Sequence, residues 1–127
     1  MNAVLDTSVI VSADAPPVGD DDLFVTAVTF AELHAGVLRA TTDTDRARRL
    51  RRLTRLAALY DPLPLDAGVA TAYGRIAALA EPRRDSNRPR TMDLLVAATA
   101  LANGCRLYTC DPDRLEGLDG VLEVIGV

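Results

Sequence analysis

Met92-Asp93-Leu94-Leu95-Val96-Ala97-Ala98-Thr99-Ala100-Leu101-Ala102, then Asn103-Gly104, then Cys105-Arg106-Leu107-Tyr108-Thr109-Cys110-Asp111, is the stretch on which the fold turns. Its first part reads as a helix that is apolar on most sides and therefore buried. Asn103-Gly104 closes that helix as a C-cap. Residues 106–109 then read as a short strand ending two positions before an acid. Outward from this unit, Ala3-Val4-Leu5 is a buried strand running into Asp6, and residues 23–25 and 122–125 are further strands. Helices are expected over about 8–13, from a cap at Thr26 or Thr29 to about 40, and from a cap at Asp66 to about 80. Another begins at Asp43 and Asp45, where negative charge complements the helix dipole. The Pro- and Gly-bearing residues 14–22 and the polar residues 81–90 are loops. Residues 59–65, broken by Pro62 and Pro64, read as an edge strand. Short strands alternating with helices indicate an α/β domain around a parallel sheet, and residues 1–127 read as a single domain without internal repeats.

The chain has 127 residues, 49% of them apolar, with only 4% aromatic and no tryptophan, so aliphatic side chains must build the core. Nothing in it is long and apolar enough to span a membrane, and the start has no basic segment ahead of an apolar one, so it is not read as a secretion signal. Cys105 and Cys110 flank a strand, which separates them by roughly 16 Å, beyond the roughly 7 Å limit for a disulfide. Reduced thiols and no leader point to the cytoplasm.

The net charge of −4 conceals a segregation: all fourteen cations are arginine, and they concentrate in residues 46–55 and 83–90. On a helical wheel Ala47, Leu50, Leu53, Ala57 and Tyr60 share one broad side. Arg48, Arg51, Arg52 and Arg55 occupy a separate arc of about 100°. Such a patch on an acidic protein still attracts a polyanion, because the local field governs the encounter.

Four acids stand out. Asp6 and Asp111 follow strands whose carboxyl ends form the ligand-binding edge of an open parallel sheet. Asp93 opens an otherwise apolar helix, and Glu32 lies among Val28, Phe30, Ala31 and Leu33. Singly, each acid has an ordinary reading that serves equally well: Asp6 and Asp111 as turn residues, Asp93 as a helix-start residue, Glu32 as a side chain projecting into solvent. Together, carboxylates brought into one partly buried place repel one another unless a cation neutralises them. Oxygen-only ligands suit magnesium or manganese.

With these residues placed, the chain resembles the PIN-domain ribonucleases. Asp6-Thr7-Ser8 is similar to their first motif, Phe30-Ala31-Glu32-Leu33 with Gly36 to the second, Asp93 to Ala100 to the third, and Leu107 to Asp111 to the fourth. The likeness runs through nearly the whole chain in the right order, and its length resembles VapC-type toxins of bacterial toxin–antitoxin pairs. The resemblance implies a three-layer α/β/α domain with a central parallel sheet of about five strands, and a Mg2+ site, open to Mn2+, formed by Asp6, Glu32, Asp93 and Asp111. It also implies Thr7 and Thr109 as supporting hydroxyls, RNA as substrate with 5′-phosphate products, a homodimer, and a VapB-like antitoxin. The arginine arc is assigned to RNA or antitoxin contact. Leu115 departs from the phenylalanine of many relatives, and Asp113 is read as a turn residue. His34, the only histidine, is read as surface or structural, and Cys110 as packing.

Rival chemistries of similar sheets fit poorly. Aspartyl phosphatases need a second acid where Ser8 stands, and receiver domains need a lysine, which is absent. No Gly-rich loop precedes a Lys-Ser or Lys-Thr pair. The remaining alternative is a catalytically silent PIN-like module that binds RNA or protein.

Overall fold

Three consecutive residues of the first strand, Ala3, Val4 and Leu5, are buried. Side chains of a strand alternate between faces, so both faces of the sheet must be covered, as a parallel sheet requires. The computed structural model describes residues 1–12, 19–80 and 91–127; the expected loop at 81–90, the arginines at 83–90 and most of the loop at 14–22 lie outside them. The elements are β1 (Asn2–Leu5), α1 (Thr7–Ser12), β2 (Asp22–Phe24), α2 (Ala27–Arg39), α3 (Asp43–Leu59), α4 (Ala67–Leu79), α5 (Thr91–Ala102), β3 (Arg106–Thr109), a 3₁₀ turn (Pro112–Leu115) and β4 (Val124–Gly126).

The sheet has strand order β2-β1-β3-β4, all parallel. Val4 pairs with Leu107 and with Phe24, which puts β1 at the centre. The chain winds from β1 to one side and from β3 to the other, so the switch in direction falls between β1 and β3. The crevice beyond their carboxyl ends is where ligands of such sheets bind.

The fifth strand is not present among the described residues. Residues 59–65 make one isolated parallel bridge, Thr26 with Leu63, in which the Leu63 N–H donates to the Val25 carbonyl and the Ala27 N–H to the Leu63 carbonyl, at 2.9 and 2.8 Å. The pairing stops there because β2 has ended at Phe24 and α2 begins at Ala27; Pro62 and Pro64 fall at the alternate positions, where no N–H faces this bridge.

Local chemistry sets the helix ends. Thr26, Thr42 and Asp66 cap α2, α3 and α4 by accepting from Thr29, Asp45 and Val69 amides. Gly104, at φ 65, terminates α5 in the left-handed conformation that glycine adopts without cost. On α3 the buried side chains are Leu53 and Leu56, with Tyr60 packed beside them against Leu33 and Val37 of α2. Of the expected apolar side Leu53 and Tyr60 pack, while Ala47, Leu50 and Ala57 are exposed. Two apolar arcs compete on this helix, and the docking of α2 decides between them. The larger core gathers Val4, Leu107, the α4 residues Val69 and Ile76, and the α5 residues Leu94 and Val96 to Ala98. Among the described residues no helix is long and apolar enough to cross a membrane.

At the opposite, amino-terminal side of the sheet, Asp21 accepts from the Tyr108 hydroxyl and from Arg106 at 2.9 Å, with the Met1 amino group 3.4 Å away. The Tyr108 hydrogen bond, then Arg106, hold the Asp21 carboxyl below its ordinary range against the opposing effect of burial. The same contact raises the Tyr108 phenol. Asp21 therefore adds stability that is complete above the usual Asp value of about 4 and is lost as pH falls through its lowered value. Tyr108 adds stability present below about 10 and lost as pH rises through its raised value. Tyr108→Phe is expected to be less stable than wild type at neutral pH in urea melts, with the gap narrowing toward both acid and alkali; a gap constant across pH overturns this.

Candidate active site

Asp6 is the first residue beyond β1 and is almost fully buried, at 7% exposure. Its N–H donates to the Tyr108 carbonyl at 2.9 Å, so its backbone is fixed to β3. Two hydroxyls, of Ser8 and Thr109, donate to the same carboxylate oxygen, Oδ2, each at 2.8 Å. A hydroxyl has one proton. The 3.3 Å approach of Ser8 Oγ to Thr109 Oγ1 therefore has none left to share and is a contact. The same two oxygens accept from the next loop, Ser8 Oγ from the Cys110 N–H at 3.0 Å and Thr109 Oγ1 from the Asp111 N–H at 3.1 Å. Ser8 and Thr109 thus pin the Asp6 carboxylate and the backbone at Asp111 to one frame.

Glu32, on the second turn of α2, is held by a different set of hydroxyls. Thr7 Oγ1 donates to Glu32 Oε1 at 2.8 Å. With that proton committed, the 2.9 Å bond between Thr7 and Thr29 must have Thr29 as donor. Thr26, the α2 cap, donates in turn to Thr29 at 3.4 Å. The result is a one-way chain of hydroxyls, Thr26 to Thr29 to Thr7, ending on a carboxylate oxygen that only accepts.

Asp93 lies in the first turn of α5, where the helix dipole favours an acid. Its Oδ2 is 3.4 Å from Nη1 of Arg114, and it makes further interactions besides this one. Asp111 is exposed at the start of the 3₁₀ turn. All four acids, with Thr7, Ser8, Thr109, Arg114 and Leu115, line one cavity of about 170 Å³.

The donor set contains oxygen alone, which fits a hard divalent ion. Among the described residues no three His, Cys, Asp or Glu side chains close on a common point. Magnesium does not require that, because it keeps several waters and takes one or two carboxylates directly.

The structure divides the expected arginine patch. Arg48 and Arg52 line a groove of about 450 Å³ that shares Thr7 and Glu32 with the acid cavity. Arg51 and Arg55 line a separate depression with Ala47, Leu50 and Thr54. Arg48 is also ion-paired with Asp45, whose carboxyl it holds below the ordinary range, with Arg49 adding to the effect. Arg49, not singled out by the wheel, ties α3 to α2 by donating to the Gly36 carbonyl at 2.7 Å.

Three residues of the site are not evident from the sequence: Ser8 as a hydrogen-bond donor to Asp6, Thr29 within the hydroxyl chain, and Arg114. A signal for Arg114 existed, since residues three apart in a 3₁₀ turn share a side, and Asp111-Pro112 announces such a turn. Leu115 is 3% exposed and fills its place in the core. His34 is exposed and outside the cavity lining. Cys110 is exposed, so the expectation that it packs fails; it follows a strand end whose next residues turn outward. Cys105 is buried and free, and burial pushes its thiol up.

Residues 3–120 match the PIN domain family. The chain belongs to that family. Ribonuclease VapC5 of Mycobacterium tuberculosis is 38% identical, over 95% of this chain and 90% of that protein. Ribonuclease VapC4 of the same organism is 35% identical over 87% of each. The crystal structure of VapBC-5 from M. tuberculosis, a member of the VapBC family of toxin–antitoxin systems, matches with a TM-score of 0.82 at 38% identity, covering 99% of this chain and 98% of that one. The α/β architecture expected from the PIN resemblance is therefore present, with four strands in place of five.

Thr109→Val keeps shape and removes the hydroxyl that serves both Asp6 and Asp111. Stability is expected to fall by about 1.5–3 kcal/mol, the worth of a hydrogen bond to a charged group, while Thr109→Ser retains most of it. Chemical denaturation of the two variants checks this, and equal losses in both contradict it.

Proposed function

We propose that the chain is a Mg2+- or Mn2+-dependent endoribonuclease acting as the toxin of a VapBC-type pair. The observation that carries this is the convergence of Asp6, Glu32, Asp93 and Asp111, from four separate parts of the chain, on one cavity at the switch point of the sheet. The VapC relatives support the substrate class. No observation favours the silent binding module, since every acid of the proposed set lines the cavity.

In this reading Asp6 and Asp93 hold the ion, and Glu32 and Asp111 complete the acidic set. A bound divalent cation supplies Lewis-acid polarisation of the phosphodiester and neutralises charge. Asp6, its Oδ2 occupied by Ser8 and Thr109, presents its other oxygen in a fixed direction. Glu32, oriented by Thr7, accepts the proton of a water as that water's oxygen attacks phosphorus. The P–O3′ bond breaks with its electron pair passing to O3′, which takes a proton from solvent, leaving a 3′-hydroxyl and a 5′-phosphate. Arg48 and Arg52, beside the cavity, hold the RNA backbone, giving affinity with little sequence reading. Arg51 and Arg55, beside exposed Leu50, face a protein instead: the second subunit of a homodimer or a VapB-like antitoxin, in keeping with the VapBC relative.

Digestion of total RNA with and without manganese, followed by end mapping, tests the activity; no metal-dependent cleavage sinks it. Asp93→Asn is expected to lower cleavage by orders of magnitude and to shrink manganese-induced thermal stabilisation. Its melting temperature without metal should change little, because a partly exposed ion pair is worth on the order of 1 kcal/mol or less. Cleavage and manganese response both retained would remove Asp93 from the site.

The two arginine pairs give a separate expectation. Arg48→Gln with Arg52→Gln should flatten the salt dependence of RNA binding, by about 0.7 in log–log slope for each phosphate of a single strand that is no longer neutralised. Arg51→Gln with Arg55→Gln should leave that slope unchanged. Equal slopes for the two double variants would refute the division.

A further inference from the structure

Among the described residues, Arg114 is the only cation lining the acid cavity. Its side chain is 35% exposed, and Nη1 meets Asp93 Oδ2 at 3.4 Å, near the limit of a hydrogen bond. No other atom of the guanidinium fork has a partner among the described residues. The backbone beneath it is firm: the Arg114 N–H donates to the Asp111 carbonyl at 3.1 Å, and neighbouring Leu115 is buried in the core. Pro112 packs so closely on Gly126 that a Cβ there would meet its ring at 3.1 Å. A rigid turn therefore delivers a long side chain whose head is weakly held.

We propose that Arg114 is a substrate-contacting residue that rests on Asp93 before RNA arrives and transfers to the scissile phosphate when RNA binds. This rests on the nuclease reading and extends it. Two charges from a divalent ion do not cancel four carboxylates, so an incoming phosphodiester still meets net repulsion, and a cation inside the cavity offsets it. The planar fork matches two oxygens of one phosphate, as a lysine ammonium does not. Once on the phosphate it stands beside the charge that grows as the water attacks, where a hydrogen-bond donor contributes most to rate. While it rests on Asp93 it also competes with the metal for that carboxylate.

The test compares wild type, Arg114→Gln and Arg114→Lys in three measurements. Cleavage of a short single-stranded RNA is expected to fall roughly 100- to 1,000-fold in Arg114→Gln, with only partial recovery in Arg114→Lys. The manganese concentration giving half the maximal melting shift should drop several-fold in Arg114→Gln, because a cation that competes for Asp93 is removed. The salt slope for binding the same RNA, measured without divalent metal so that it is not cleaved, should fall by about 0.7, the equivalent of one phosphate. A strut that merely holds the turn predicts the opposite metal result, weaker manganese binding together with a lower melting temperature. That result, wild-type cleavage by Arg114→Gln, or an unchanged slope overturns the proposal. Should wild type itself fail to cleave, the nuclease reading falls, while the manganese and slope measurements still decide whether Arg114 meets phosphate.

Discussion

The pairing of β1 with β3 at the centre of the sheet is the constraint from which the rest of the structure follows. These strands are about one hundred residues apart in the chain, yet the Asp6 amide and the Tyr108 carbonyl close the last rung of their ladder. Thr109, one residue further, then gives its proton to the Asp6 carboxylate. Slipping the register by one residue would turn Thr109 to the other face of the sheet and leave Asp6 buried without that donor. Burying a carboxylate is tolerable here only because the pairing brings its hydrogen-bond donors with it.

Around that seam the molecule separates jobs by location. The amino-terminal side of the sheet carries a paired ionic cluster, Asp21 with Arg106, Tyr108 and Met1, in which each charge has an opposite partner nearby although Arg106 Nε has no hydrogen-bond partner. Among the described residues, the carboxyl-terminal side gathers acids in excess of the cations that line the cavity with them. The first arrangement is at rest without a ligand; the second lowers its energy by acquiring positive charge. That difference, rather than the number of acids at either place, marks which end of the sheet is the working one.

Much of this was legible in the chain. The α5 helix could be read from its apolar run and its Gly104 stop, and β1 and β3 from short apolar runs ending near acids, because those signals are local. Asp6 and Asp93 were legible as acids attached to buried elements. What escaped was decided by packing between distant segments. The buried arc of α3 depends on where α2 docks, so Leu56 could not be preferred to Leu50. The extent of the 59–65 pairing depends on where β2 gives way to α2. Ser8 and Thr29 look like ordinary small polar residues until β3 and α1 are brought beside them. The split of the arginine arc reflects the same limit, since a wheel orders side chains around an axis but says nothing of what lies opposite.

The hydroxyl chain from Thr26 through Thr29 and Thr7 to Glu32 has a direction, and that direction carries information. Each proton points toward the carboxylate because the last oxygen can only accept. The first oxygen in the line is also the one that caps α2, receiving the Thr29 amide at 3.1 Å. Were the order of the line to reverse, the Thr26 cap would be asked to accept twice. The start of α2 is thereby tied to the cavity by one line of hydroxyl protons, and the amide resonance of Thr29 is the place where an observer could read the direction of that line without touching the site.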